Sequence, residues 1–413
     1  MKNCSGFVGV LMSGFLAVSS ATADTWPQYR GPNGSGVATD KALPARWSDT
    51  ENMVYKVDLP GRGLSSPVVA DGRLYLTACS EYKQRRLHVL CFDAATGKKL
   101  WERQLAATGS TTCHPTTNMA APTPVTDGKR VFALFATGDL AALNRDGDLL
   151  WYRSLVGDYP DITNQVGMAA SPVLHNDLLF LPMENPGESF AGAVDANTGQ
   201  NRWRMKRERD INWVTPQVVQ RAGETEVVFQ TSADTTAYDA ATGKVRWKFT
   251  APGLSSVLSP LLFRDQVLVS AGNFCALKPV ADKQSPEVVW RNSKLRTNYA
   301  SGLIYDGKLY VIASPSMMNC VDPVTGKTLW QERLKGNYWA SPIGADGKVY
   351  TVNEAGTAIV LKAGDKPQVL GTSNFGESIF ATPAIANGRI YFRSDKHLFC
   401  IGEKAKPEGS AGR

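Results

Sequence analysis

Glu184, Asp234 and Glu354 fall in short turns between apolar runs, while His114, Asn118, Trp213, Asn298, Tyr299 and Trp339 fall in the segments that join one sequence repeat to the next. Carboxylates and amides are the oxygen donors that a hard cation such as calcium takes, and aromatic faces stack on flat ligands. The set could therefore hold a planar anionic cofactor through a bridging cation, with Asp234 or Glu354 as general base. The plainer reading is a rim of solvated loops around aromatics that plug a channel, and we adopt it: no catalytic residue and no metal ligand is assigned. A lone histidine such as His114, in GSTTCHPTTN, is a loop hydrogen-bonding residue more readily than a ligand, because a metal needs a cluster. Cys113-His114 lacks the earlier cysteine of a haem-attachment motif, and no Gly-rich phosphate loop or nucleophile elbow is present.

What must position these residues is a repeat. A phrase opening on Ser or Thr and running into an apolar stretch, a turn and a second apolar stretch begins at Ser66, Thr123, Ser171, Thr215, Ser259, Ser301, Ser341 and Thr382. Its spacing of about 45 residues lies in the range of four-stranded propeller blades. Each unit holds short alternating runs rich in Val, Ile, Tyr and Phe between turn signals, so the fold expected is all-β, an eight-bladed propeller of four-stranded blades. A second phrase, as in DAATGKKLW at Asp93 and DPVTGKTLW at Asp322, reads as a bulged hairpin in which Asp bonds the turn and Gly takes positive φ. It ends on Trp101, Trp151, Trp203, Trp247, Trp290 and Trp330, large rings suited to docking one blade on the next. Blade seven has Leu370 at that place, and blade eight runs out near Cys400 before a fourth strand. The run MVYKVDL from Met53, with Tyr55 in the Trp position, is expected to supply it and so close the ring.

With an innermost first strand, the blade-to-blade loops and the second-to-third turns share one face. Its longest loops are read as Glu102 to Ala120 and Tyr152 to Ala170. Asp139, Asn185, Glu188 and Asp395 join the acids and amides there, and Tyr338 and Phe380 the aromatics.

The first residues carry Lys2, an apolar stretch from Phe7 to Val18 and small residues at Ala21 and Ala23, as in a secretory leader cleaved before Asp24. That stretch is too short to span a bilayer, and no other is apolar enough, so the mature chain is expected to be periplasmic or secreted. The chain divides into a leader at 1–23, an arm at 24–50, the propeller at 51–402 and a flexible tail at 403–413. With 45 Lys and Arg against 38 Asp and Glu the formal charge is +7, scattered over the chain, which argues for a solvated surface and against nucleic acid. Seven cysteines include Cys4 in the leader. Cys91, Cys320 and Cys400 share a repeat position with alanines and read as small buried apolar residues, while Cys79 and Cys91 on neighbouring strands could bridge. A monomer is the expected state, since a closed ring buries its own edges.

The pattern AxDxxTGxxxW, from Ala193 to Trp203 and from Ala237 to Trp247, resembles that of the quinoprotein-type eight-bladed propellers over nearly all of the mature chain. The resemblance takes in pyrroloquinoline-quinone alcohol dehydrogenases and the propeller lipoprotein of the outer-membrane protein assembly machinery. The opening WPQYRGPNGSG at Trp26 is similar to that of exported bacterial proteins with the same repeat. The dehydrogenases carry adjacent cysteines over the quinone and long inserted loops, and this chain has neither; the lipid-attachment cysteine of the assembly propeller is also missing. The resemblance implies an exported non-catalytic scaffold whose loop face takes a protein or envelope ligand. Its alternative is a pyrroloquinoline-quinone- and calcium-dependent oxidoreductase of alcohols, sugars or aldehydes.

Overall fold

The computed structural model describes residues 25–163, 166–221, 223–281 and 283–403. The leader lies outside these residues, as does the tail beyond Glu403. Eight antiparallel four-stranded sheets form the blades of a propeller, with inner strands that touch their neighbours around the ring. Blade 1 consists of Val68–Ala70, Arg73–Ser80, Arg86–Asp93 and Lys99–Ala106. Blades 2 to 7 begin at Val125, Val173, Gln217, Leu261, Leu303 and Ile343. Blade 8 joins Ala384–Ala386, Arg389–Arg393 and His397–Ile401 to the fourth strand Met53–Asp58, as the repeat requires.

Burial follows position in the blade. Second and third strands are covered by blades on both faces and read as nearly continuous apolar runs, whereas outer strands such as Asn201–Lys206 alternate and bury chiefly the tryptophan side. The two halves of the hairpin phrase meet across blades. The indole Nε1 of Trp101, Trp151, Trp203, Trp290 and Trp330 each donates to a carbonyl of the following blade at 2.9 Å. Each of these rings except Trp330 also lies against the glycine of the next blade's turn, so that a Cβ on Gly147, Gly199, Gly243 or Gly326 would fall 2.4–2.8 Å from it. Trp247 differs, since its Nε1 donates to Glu226 of its own blade at 3.1 Å. Tyr55 takes the expected place at the closing blade: its hydroxyl donates to Ala94 O at 3.1 Å and its ring covers Gly97.

Three details depart from the sequence reading. In blade 7 the residue opposite Val360 is Gly371, and Leu370 is the bulged residue before it, one position earlier than the Trp site. The N-terminal arm explains the glycine, since a Cβ there would stand 2.1 Å from Ala45 O. The arm's own Trp47, 5% exposed, packs on Phe375 and Phe392 between blades 7 and 8. The second departure is the suggested Cys79–Cys91 bridge. Cys79 pairs with Leu87 and Cys91 with Tyr75, four rungs apart on one ladder, and both thiols are free. Cys91, Cys320 and Cys400 instead stand opposite Trp101, Trp330 and Tyr55, where a small residue makes room for the ring. The loops are shorter than read, because Glu102 to Ala106 is strand and Ser154 caps a single helical turn, Leu155–Asp158.

Candidate functional site

The Ser or Thr that opens each repeat phrase forms a ring at the inner end of the blades. Ser66 N donates to Thr123 Oγ1 at 2.9 Å, and Thr123 N to Ser171 Oγ at 3.0 Å. The series continues through Ser171, Thr215, Ser259, Ser301 and Ser341 to Thr382, each backbone N–H meeting the next blade's hydroxyl at 3.0–3.2 Å. Only the step from Thr382 back to Ser66 is missing among the described residues, and Ser66 Oγ is left buried without a partner. The gap falls at the seam where the chain closes on itself.

Above the ring opens a cavity of about 390 Å3. The residue two places before each ring hydroxyl lines it in every blade: Leu64, Ala121, Ala169, Trp213, Val257, Tyr299, Trp339 and Phe380. The repeat thus sets one side chain per blade on the wall, and their sizes make it lopsided. Tyr299 stacks on Trp339 with centroids 3.8 Å apart and planes 11° from parallel, and Phe380 lies 5.8 Å beyond. Opposite, Trp213 is fixed by a 2.7 Å bond from Nε1 to Gly167 O. Over the alanines fold the two long loops, which bring in His114, Thr116, Thr117 and Val166. His114 Nδ1 is 2.8 Å from Thr116 Oγ1, a local loop contact.

The lower end is closed by the arm. Trp26 pairs with Val69, Thr126 N donates to Pro27 O, and Ala38 N donates to Gly344 O, all on inner strands. Asp40 and Asp346 tie the arm to first-to-second-strand turns, Asp40 Oδ1 accepting from Gly388 N and Asp346 Oδ2 from Leu43 N, which places it on the face opposite the mouth. Tyr29 projects upward to form the floor, its hydroxyl 3.3 Å from Ser341 Oγ. The site is therefore a blind funnel.

Of the nine residues singled out in the sequence, His114, Trp213, Tyr299 and Trp339 line this funnel and five do not. Glu184 and Asp234 are buried between blades 3 and 4 and share Arg207, which sits 3.4 Å from Glu184 and 2.6 Å from Asp234. Lys248 adds a 2.9 Å contact to Asp234. Burial alone would raise the Asp234 carboxyl, but Arg207, Lys248 and Thr236 outweigh it and hold the group below its ordinary value. That makes Asp234 a poor base. Burial pushes the Glu184 carboxyl up to about 7 against the pull of Arg207 and Asn212. Asn118 is buried, with Oδ1 accepting from Ala120 N, and Asn298 faces a separate outer recess of about 110 Å3 beside Pro315 and Tyr338. Glu354 stands behind the wall, where it accepts from Trp339 Nε1 at 2.8 Å and Asn337 Nδ2 at 3.1 Å and so orients the tryptophan. Asp139, read as a face acid, is fully buried and accepts from Thr108, Thr137 and Tyr152. Asn185 is buried in its own turn, Glu188 pairs with Arg204, and Asp395 with Arg62.

A bridging cation needs carboxylates, and the funnel wall carries none. No group of three or more His, Cys, Asp or Glu that could hold a metal occurs among the described residues. The residues present do not fit a calcium-quinone pair. The wall was open to discovery from sequence: aligning the repeats on Ser or Thr and reading two places back gives the lining directly.

The family model described as outer membrane protein assembly factor BamB matches residues 35–182, 187–294 and 278–369. Among solved structures, quinohemoprotein alcohol dehydrogenase from Comamonas testosteroni superposes with a TM-score of 0.70 at 13% identity, over 96% of this chain and 83% of its own. BamB from Moraxella catarrhalis gives 0.61 at 13% identity, over 86% and 99%. A europium-containing methanol dehydrogenase gives 0.67 at 12%, over 89% of each chain. Identities this low speak for the fold and not for activity. No curated protein matches the chain.

Proposed function

The chain belongs to the propeller family described as outer membrane protein assembly factor BamB, and we propose that it is a non-catalytic binding propeller that receives an envelope ligand in its funnel. The carrying observation is the wall itself: aromatic and small apolar side chains over a ring of hydroxyls, with no carboxylate to serve as base or cation ligand. Pockets of this size and lining hold ligands by burying apolar surface and orienting them with a few polar groups. Trp213, Tyr299, Trp339 and Phe380 supply the surface, and the bonds from Trp213 to Gly167 and from Trp339 to Glu354 fix two of those rings before anything binds. Preorganisation of this kind lowers the entropy lost on association. Placement outside the cytoplasm, suggested by the leader-like residues 1–23, belongs to the same proposal. Among the described residues no helix is long and apolar enough to cross a membrane.

The alternative is the oxidoreductase reading, since alcohol and methanol dehydrogenases share the fold, and one experiment separates the two. The mature protein is titrated calorimetrically with pyrroloquinoline quinone, with and without calcium, and assayed for dye-linked oxidation of alcohols, aldehydes and sugars. We expect no calcium-dependent saturation and no turnover. Calcium-dependent binding accompanied by turnover would make the protein an oxidoreductase and end the binding-propeller reading.

A further inference from the structure

The base of the funnel has more hydrogen-bond donors than the protein uses. The hydroxyls of Thr123, Ser171, Thr215 and Ser259 each accept one backbone N–H, and none of them donates its own proton to an acceptor among the described residues. Ser66 Oγ, 1% exposed and on the same wall, has no partner among the described residues. A buried hydroxyl left unpaired costs free energy that a ligand acceptor would recover.

Beneath this layer is a buried cation. A void of about 10 Å3 shares Tyr29, Thr215 and Ser259 with the funnel and is lined from below by Arg30. Arg30 is 1% exposed; its Nη2 donates to Gly302 O at 2.6 Å, while Nε and Nη1 have no partner among the described residues. No carboxylate lies within ion-pair distance of it among the described residues. A second buried guanidinium, that of Arg393, reaches Ser65 Oγ at 3.2 Å, next to Ser66, and likewise has no direct acidic partner among them. Guanidinium groups stay charged in proteins, and in a poorly screened interior their field extends into the adjoining cavity. Acids that could cancel it are absent from the wall among the described residues; Glu354, behind the wall, is held by Trp339 and Asn337, and Asp395, whose charge acts on Arg393, is paired with Arg62.

We propose that the funnel binds a small apolar carboxylate, with its acid group down against Thr215 and Ser259, the ring hydroxyls above Arg30, and its hydrocarbon body against Trp213, Trp339 and Phe380. This rests on the binding-propeller reading and names the ligand class for the same site. The hydroxyl donors and the arginine field select the anion, the aromatic wall selects the apolar body, and no metal is required. The volume suits a body of one or two rings.

The test compares 2-naphthoate with 2-naphthamide, which has the same shape without the charge, by calorimetric titration of the whole mature protein. Charge-assisted hydrogen bonds predict an affinity for naphthoate about ten-fold or more above that for the amide. Arg30→Met, checked for folding by circular dichroism, should collapse that ratio. Ser259→Ala, checked for folding in the same way because its hydroxyl also accepts from Thr215 N, should weaken naphthoate binding several-fold. Equal binding of the two probes would overturn the carboxylate preference while leaving the funnel as a binding site. Naphthoate binding unaffected by both substitutions would place it elsewhere and overturn the proposal, and failure of both probes to bind would remove this inference and the binding-funnel reading together.

Discussion

At the scale of single residues, the acids that look available for chemistry in the sequence are mostly spoken for in the fold. Arg207 comes off the end of an outer strand and draws Glu184 and Asp234 inward from two different turns. Sequence gives the face on which a turn emerges but not which cation lies behind it, so these two were legible as loop acids and illegible as an ion cluster. The cluster has a measurable consequence. Asp234 holds the shorter contact to Arg207, which leaves the desolvation of Glu184 only partly offset and its carboxyl raised to about 7. In the unfolded chain the same group ionises near 4.5. Between those values the native state keeps a proton that the unfolded state has released, so stability falls as pH rises through the interval. Relative to wild type, Glu184→Gln should show a flatter stability profile from pH 5 to 8, the difference growing to at most about 3 kcal/mol. Urea unfolding of both proteins across that range measures it; parallel profiles would mean that Glu184 titrates normally.

At the scale of the blade, legibility was high for the hairpin phrase and low for register. The turn glycines and the tryptophans were evident as punctuation, but their pairing across blades needs three dimensions: Gly326 belongs to blade 6 and the ring it touches, Trp290, to blade 5. The one-residue error at Leu370 has a like cause, since an extra residue in a bulge shifts the count without changing composition. Docking and backbone geometry can be separated by two glycines of similar φ. Gly326 has φ +72 with Trp290 2.4 Å from a would-be Cβ, while Gly307 has φ +69 and open space around it. Gly307→Ala should cost about 1 kcal/mol, the penalty of positive φ alone. Gly326→Ala adds displacement of a packed indole and should cost about 3 kcal/mol or more. Thermal unfolding of the pair checks this, and equal losses would show that the tryptophan yields freely. The Ser and Thr ring went unread for a different reason. A hydroxyl beside proline looks like any turn residue until eight of them face one axis.

At the scale of the whole molecule, the ring and its closure follow from repeat arithmetic, whereas the path of the arm does not, because residues 25–47 are used once and nothing repeats. The seam between blades 8 and 1 lacks the inner hydroxyl link, so its cohesion must come from farther out. There Tyr55 and Tyr391 both donate to Ala94 O, Arg389 reaches Ala95 O, and Arg393 bonds Ser65 Oγ and Thr77 O. The strand Met53–Asp58 contributes Tyr55 directly and covers the edge of His397–Ile401. Deleting residues 51–60 should therefore lower the melting temperature by about 5 °C or more and promote association through the bared edge. A chain that begins at Asn52 keeps the closing strand but loses Trp26, Tyr29, Arg30 and Trp47. It should still show β-structure and a single unfolding transition at reduced temperature, because the blades and their tryptophan contacts are intact. Its funnel would have neither its floor nor the Arg30 cation beneath the ring, so the discrimination between naphthoate and naphthamide should vanish in it. Circular dichroism and calorimetry on the two truncations separate the roles: an unchanged melting temperature in the first would deny the strand its part in closure. Retained discrimination in the second would deny the arm its part in the site.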